Sequence, residues 1–423
     1  MRKKIVAFCD TSIKYSFYGV AGTMFFAWSA MQLFFAFTLL AFLLKLILTF
    51  KAEYKQVRVN MFDWAFFAIF ILSFISCFFG VNPMKSLGQY AFLKTAGWMF
   101  MYLAARIELQ NSRQLKTVVW ILIGSAFTGA FYGILKGIIY DEPRMGGGLG
   151  HPIHFGMGMN FALAILLAVI LYKTEKFRKS IKQSIAEWTV LLVTSVFCVF
   201  AMVGSRASSA LVALAAFICV MALVCRKKAA FILVAVLLAV FAAGVILLPQ
   251  SKFGAAIIKI TDKNNLSVAE RLLMWKSGAL IIKDHPMGVG IDNLSLVYMK
   301  YYQTGAREGN QGHLHNNFIQ LTAERGIITL FAYLFFIAAF YIVTLRALPD
   351  LKTIFEKYIV IGVIGVFTIF WVTGIFEYTW GASHGILNFW FIIGLGMAII
   401  AGSGKNNPSN RRKTRNSRQK ISR

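Results

Sequence analysis

Acidic residues are scarce in this chain. It holds 17 Asp and Glu against 44 Lys and Arg, a formal net charge of +27. Cysteine, histidine and proline are also few, at 5, 6 and 7 in 423 residues. Each shortage excludes something. The cysteines, Cys9, Cys77, Cys198, Cys219 and Cys225, show no CxxC spacing and sit in or beside apolar stretches, so they imply neither a disulfide framework nor a metal site. No HExxH run exists, which removes the commonest helical zinc signature. The high positive charge would fit a nucleic-acid partner, but the distribution of that charge points elsewhere.

Apolar residues are plentiful. They make up 58% of the chain, with a mean hydropathy of +0.67, where soluble domains run at about 45–50%. The excess falls in blocks of roughly 17–25 residues, the length a helix needs to cross about 30 Å of hydrocarbon. Backbone groups inside lipid must be paired within their own element, so such blocks must be helices. A β-barrel would need alternating segments of about 10 residues, and runs such as FILVAVLLAVFAAGVILL do not alternate.

Twelve spans are expected, near 13–30, 32–50, 61–80, 90–106, 117–140, 156–172, 185–204, 208–225, 229–249, 326–345, 358–376 and 385–402. The termini and connections on one side then hold 28 Lys and Arg, while the short connections on the other hold only Lys85, Arg144 and Arg206. That imbalance is the positive-inside signature. It predicts cytoplasmic termini, a basic tail over 403–423 lying near anionic lipid rather than on nucleic acid, and short outer connections that are nearly free of cations. No cleavable signal peptide is expected, because the first apolar stretch has no A-x-A-like site. The expected fold is therefore all-α: a polytopic membrane domain over 1–402 with one large outer loop inside it, about 249–325.

That loop is too long to be a simple connection. Ser267-Val-Ala-Glu270 reads as a capping box. Val268, Leu272, Trp275, Ala279 and Ile282 then recur at helical spacing, so a helix with one apolar face is predicted, ending at His285-Pro286. A second helix is predicted from about Asn316 toward span ten.

Ionisable groups beside a membrane are costly unless paired or facing water, so those on the outer face are the candidates for chemistry. Arg144 precedes Gly146, Gly147, Gly148 and Gly150. A guanidinium fork beside a glycine run can seat a phosphate, with backbone N–H groups forming an anion nest. An ordinary loop whose arginine anchors a headgroup fits equally well. Arg206 stands in a very tight turn, GSRASSA, either snorkelling to lipid phosphate or reaching a cavity between helices. Arg271 and Trp275 lie four apart on one helix face. His313-Leu-His315-Asn316-Asn317 is the densest polar cluster. A histidine there can serve as a general base, since its unperturbed pKa lies near 6.5, or can merely cap the helix. The outer face has no DxD or ExD pair, so metal-free chemistry is expected and no cofactor is implied.

The combination of an outer GSRA turn, ERLLMWKSGALIIKDHPMGVG and HLHNNFIQLTAERG resembles the O-antigen ligase and O-antigen polymerase superfamily, the proteins with a Wzy-C domain, and is most like the ligases. The motifs lie over roughly 140–345. The resemblance implies a fold like the GT-C class of membrane sugar transferases in the bacterial inner membrane, with the site facing the periplasm. It implies metal-independent transfer of a glycan from an undecaprenyl-diphosphate donor to lipid A-core. Other acceptors in the superfamily are a second lipid-linked glycan, as in polymerases, or a protein hydroxyl. Carried onto matching positions, the resemblance makes His315 the catalytic histidine and Arg206 and Arg271 the diphosphate-holding residues. Arg144, His313, Arg307, Trp275 and Glu324 follow as substrate-binding candidates.

Overall fold

The computed structural model describes residues 1–53, 59–176, 185–225, 266–307, 309–381 and 383–404. All regular structure among them is helical. In chain order the helices are α1 (Arg2–Thr23), α2 (Trp28–Glu53), α3 (Met61–Phe79), α4 (Pro83–Leu87), α5 (Gln89–Glu108), α6 (Ser112–Ile139), α7 (Pro152–Lys176), α8 (Ile185–Gly204) and α9 (Ser208–Cys225). They continue as α10 (Leu266–Asp284), α11 (Leu294–Val297), α12 (Asn317–Arg325), α13 (Ile327–Ala347), α14 (Ile354–Phe376) and α15 (Ser383–Gly404). Among the described residues nine of these are long and apolar enough to cross a membrane: α2, α3, α6, α7, α8, α9, α13, α14 and α15. The expected span at 229–249 and most of the expected tail lie outside the described residues.

The first expected span is placed differently. It straddled a break, because α1 stops at Thr23 and the chain turns over 24–27 before α2 starts at Trp28. Hydropathy cannot register that turn, since Met24-Phe25-Phe26-Ala27 is as apolar as the helices it joins.

Burial separates the bundle into centre and rim. The apolar windows of α14 and α15 are each 83% buried and that of α7 is 78% buried, whereas α2 and α8 fall to 22% and 28%. The three buried helices are apolar all round, as a helix enclosed by other helices should be. Small residues let them approach: a Cβ on Gly362 would lie 2.8 Å from Ala168 of α7, and one on Gly365 would lie 2.5 Å from Phe217 of α9. Aromatic rings fill the space between α3, α13 and α14, with Phe340 and Phe367 stacked at 3.7 Å.

Polar contacts mark two ends. At one, Lys45 meets Asp10 and Glu108, Arg106 pairs with the buried Asp63, and Ser112 reaches Glu356. The described connections at 106–116 and 346–357 fall at this end, where Lys352 Nζ also donates to Gly402 O. At the other, the 80–88 segment, the 140–151 loop, the 205–207 turn, the 266–325 cap and the 377–381 turn all meet. Val81 N–H donates to Val289 O, and Met145 N–H to Gly204 O.

The cap is a small helical layer with its own core of Met274, Ile281, Val289, Leu294, Tyr298, Tyr301, Leu314 and Ala323. Two expectations about α10 are corrected. The helix already includes Leu266, so Ser267 lies inside it and is not its cap. The Glu270 carboxylate instead accepts from Arg307 N–H, at 3.1 Å from each oxygen. The buried stripe is Met274, Ser277, Gly278 and Ile281, rotated from the face expected; Leu272 and Ala279 are exposed. The reason is that α12 and the turn after α11 dock on that side, and the Tyr301 carbonyl satisfies the Ser277 hydroxyl at 2.8 Å.

Asn316 caps α12 by accepting from Ile319 N–H, and Gly326 ends it with φ +87°. That left-handed glycine turns the chain directly into α13, and Ile327 N–H donates to Pro286 O across the bend. The cap is thereby fixed to the bundle at the residue where the spanning helix starts.

Candidate functional site

Glu377 lies at the centre of the cap-bearing end, one residue past α14. Its Oε1 accepts from Arg271 Nη2 at 2.8 Å and its Oε2 lies 2.7 Å from His315 Nδ1. One carboxylate thus joins α10 to the loop before α12. The Glu377 side chain is only 9% exposed, while those of Arg271 and His315 are 25% and 26% exposed. The pair therefore opens to a ligand while the acid behind it does not. Burial pushes the Glu377 carboxyl up, but the His315 hydrogen bond and the charges of His315 and Arg271 outweigh it and hold the carboxyl below the ordinary glutamate range.

The proton position follows. An ionised carboxylate can only accept, so the imidazole hydrogen sits on Nδ1. When the ring is neutral, Nε2 is then left with its lone pair facing away from Glu377. This is the arrangement in which a carboxylate fixes the tautomer and direction of a histidine base.

Two more arginines come from neighbouring connections. Arg144 Nε donates to Ser205 O at 3.3 Å, which ties the 140–151 loop to the turn that carries Arg206. The Arg144 guanidinium is pushed down from its usual value by burial first and by the positive charges of Arg271 and Arg206, against the pull of Glu377. The imidazole of His151 is pushed down by burial, and by Arg144 and His315, again against Glu377. Arg144, His151, Arg206, Arg271, His315 and Glu377 therefore form one electrostatic cluster. Three guanidiniums against one carboxylate leave a formal excess of two positive charges, suited to an anion carrying more than one negative charge.

Two of the cluster's residues are held in the left-handed region without being glycine: Arg206 at φ +49° and His315 at φ +47°. Such conformations cost about 1–3 kcal/mol and persist where surroundings overdetermine them. Around His315 they do. Leu314 N–H donates to Gln320 Oε1 at 2.8 Å, and Leu314 O accepts from Trp275 Nε1 at 3.0 Å. Trp275 thus braces the histidine loop from below; its indole N–H is committed to that bond.

The glycine run after Arg144 is built for packing. A Cβ on Gly148 would stand 1.9 Å from Phe26 O, in the turn between α1 and α2. Gly146 N–H donates to Glu142 at 3.3 Å, and Gly147 packs on Phe155. These contacts commit the run to close packing, a role that neither reading of the sequence named. Gly150 alone borders open space.

The remaining sequence candidates sit around this centre. His313 is exposed, its ring 4.3 Å from that of His315. Arg307 is exposed on the cap, with its backbone N–H held by Glu270. Glu324 is buried and its oxygens accept from Asp292 N–H, Gln320 Nε2 and Tyr378 OH, so it knits the cap together beneath the site. Burial pushes its carboxyl up. Among the described residues no three of His, Cys, Asp or Glu converge as metal ligands. Sequence reasoning assigned no role to Glu377 or His151. Glu377 carries no motif; its only signal is that it is an acid on the outer side of a chain poor in acids.

Residues 190–334 match the family model of the Wzy-C domain, described as O-antigen ligase. The match covers Arg206, Arg271 and His315, and leaves Arg144 and Glu377 on either side of it. It supports membership of the O-antigen ligase and polymerase superfamily without selecting a member, and with it an enzymatic role in glycan ligation or polymerisation. No curated protein matches the chain.

Proposed function

We propose that this protein is a metal-independent glycosyltransferase of the O-antigen ligase type, moving a glycan from undecaprenyl diphosphate to lipid A-core in the periplasm. The observation that carries the proposal is the Glu377 bridge between Arg271 and His315 beside Arg144 and Arg206. The basic end of the bundle faces the cytoplasm under the positive-inside rule, so the site faces the periplasm. There the donor's diphosphate sits among Arg144, Arg206 and Arg271, and its isoprenoid chain remains in the bilayer.

In the reaction an acceptor hydroxyl attacks the anomeric carbon of the donor glycan. A new glycosidic C–O bond forms, and the bond from that carbon to the diphosphate oxygen breaks with its electron pair. His315 Nε2 takes the hydroxyl proton, and Glu377 steadies the imidazolium that results. Charge builds on the departing diphosphate, where fixed guanidiniums already stand; groups preorganised for developing charge supply the largest catalytic effect in most enzymes. Arg271 also neutralises Glu377, so the carboxylate does not repel the donor.

The test is surface lipopolysaccharide from a null strain. The expected result is loss of every core-attached glycan, a single repeat included, with long glycan accumulating on undecaprenyl diphosphate and restoration by the wild-type gene. If core bearing one repeat survives and only the ladder vanishes, the acceptor is a second lipid-linked glycan and the protein is a polymerase.

A further inference from the structure

Asn316 and Asn317 directly follow His315 and take no part in the chemistry above. Asn317 is fully buried. Both ends of its side chain are committed to the turn that carries Glu377. Its amide nitrogen donates to Thr379 Oγ1 at 2.8 Å, and its amide oxygen accepts from Trp380 N–H at 3.1 Å. The orientation is fixed by chemistry, because a backbone N–H can only donate and so must face the oxygen. Asn316 grips the same turn from the other side: its oxygen caps α12, while its nitrogen donates to Ile375 O at 2.9 Å. Thr379 N–H then donates to Glu377 O at 3.0 Å. Residues 375, 379 and 380 are all held by the two asparagines, and Glu377 lies between them.

No other side chain of this size does both tasks of Asn317. Aspartate lacks the N–H donor and would bury a charge, and leucine leaves Trp380 N–H without an acceptor. We infer that Asn317, assisted by Asn316, is the positioning residue that sets Glu377 against His315. It controls the proton-transfer step rather than donor binding, which Arg144 and Arg206 supply from other connections. The inference rests on the reading of His315 as the base.

The experiment uses the whole purified protein in liposomes, with undecaprenyl-diphosphate-linked glycan extracted from the host strain as donor. Kinetics are compared for wild type, Asn317→Ala, Glu377→Gln and the double variant. Asn317→Ala is expected to lower kcat by roughly tenfold or more, as loss of groups that orient a functional histidine does, with donor KM within about twofold. The double variant is expected to be no slower than Glu377→Gln alone, because the two losses act through one contact. Thr379→Val, which removes one Asn317 partner at nearly constant shape, is expected to lower kcat in the same direction by less. It serves as the test if Asn317→Ala does not fold. Additive losses, a change confined to KM, or unchanged kcat in both Asn317→Ala and Thr379→Val would overturn the inference while leaving the transferase reading intact. If wild type transfers no glycan from this donor, the transferase reading falls and takes the inference with it.

Discussion

At the scale of single residues, the account turns on Glu377. Its carboxyl is held below the ordinary range, so its contribution to stability is fully present above the unfolded glutamate pKa of about 4.3 and is lost only as pH falls through the lower folded value. Between pH 5 and 8 the bridge to Arg271 and His315 stays ionised on the carboxylate side. Glu377→Gln keeps the shape and removes the charge. Its transfer rate is expected to fall by at least about tenfold. Its melting temperature in detergent should sit below wild type by a margin that does not shrink from pH 8 to pH 5, with the gap closing only under about pH 4. A margin that instead shrinks between pH 8 and 6 would mean that the carboxyl titrates there and is not the fixed partner described. Residue by residue, Arg206 stands out as a lone cation in a tight turn and His315 as part of a dense polar cluster, while the roles given to Arg206, Arg271 and His315 came from the family resemblance. The sequence did not show Glu377, which meets its two partners across 62 and 106 positions and belongs to no local pattern.

The secondary-structure elements position the site through their junctions. α12 ends and α13 begins at Gly326, whose φ of +87° and close neighbours exclude a side chain: a Cβ would lie 2.7 Å from the Met287 carbonyl carbon. Gly326→Ala is expected to destabilise the protein by about 1–3 kcal/mol through backbone strain, with further loss from the clash. The consequence for function is that the histidine loop loses its anchor to the membrane bundle. Thermal unfolding followed together with transfer should show both fall; a variant of unchanged stability would remove this junction from the account. The elements themselves were largely legible. Long apolar runs announce helices because lipid allows little else, and Asn316 before an apolar period announced α12. The buried face of α10 was not legible from its own residues. It depends on where α12 and the turn near Tyr301 dock, and Ser277, a polar residue, is in the buried stripe because Tyr301 O satisfies it.

For the whole molecule, the claim is one of sidedness. Cap, glycine-rich loop, arginine turn and Glu377 meet at one end of the bundle, and the described connections at 106–116 and 346–357 lie at the other. Cysteine placed at Gly305, a cap position bordered by open space, should react with a membrane-impermeant maleimide in cells whose outer membrane has been permeabilised. Cysteine at Lys352, in the 348–353 connection, should react only after the inner membrane is broken. The reverse pattern would invert the protein and place the site in the cytoplasm. Charge distribution is what predicts this orientation, since the positive-inside bias is a property of whole connections rather than of single contacts.

The most direct test is glycan transfer by purified protein in liposomes, wild type beside His315→Ala, with both shown to be folded and monodisperse. The account predicts transfer from undecaprenyl diphosphate by wild type, surviving thorough chelation of divalent ions, and no measurable transfer by His315→Ala. Transfer at the wild-type rate by well-folded His315→Ala would contradict it, because Glu377, Arg271 and the asparagine turn would then be organised around a histidine that the reaction does not use.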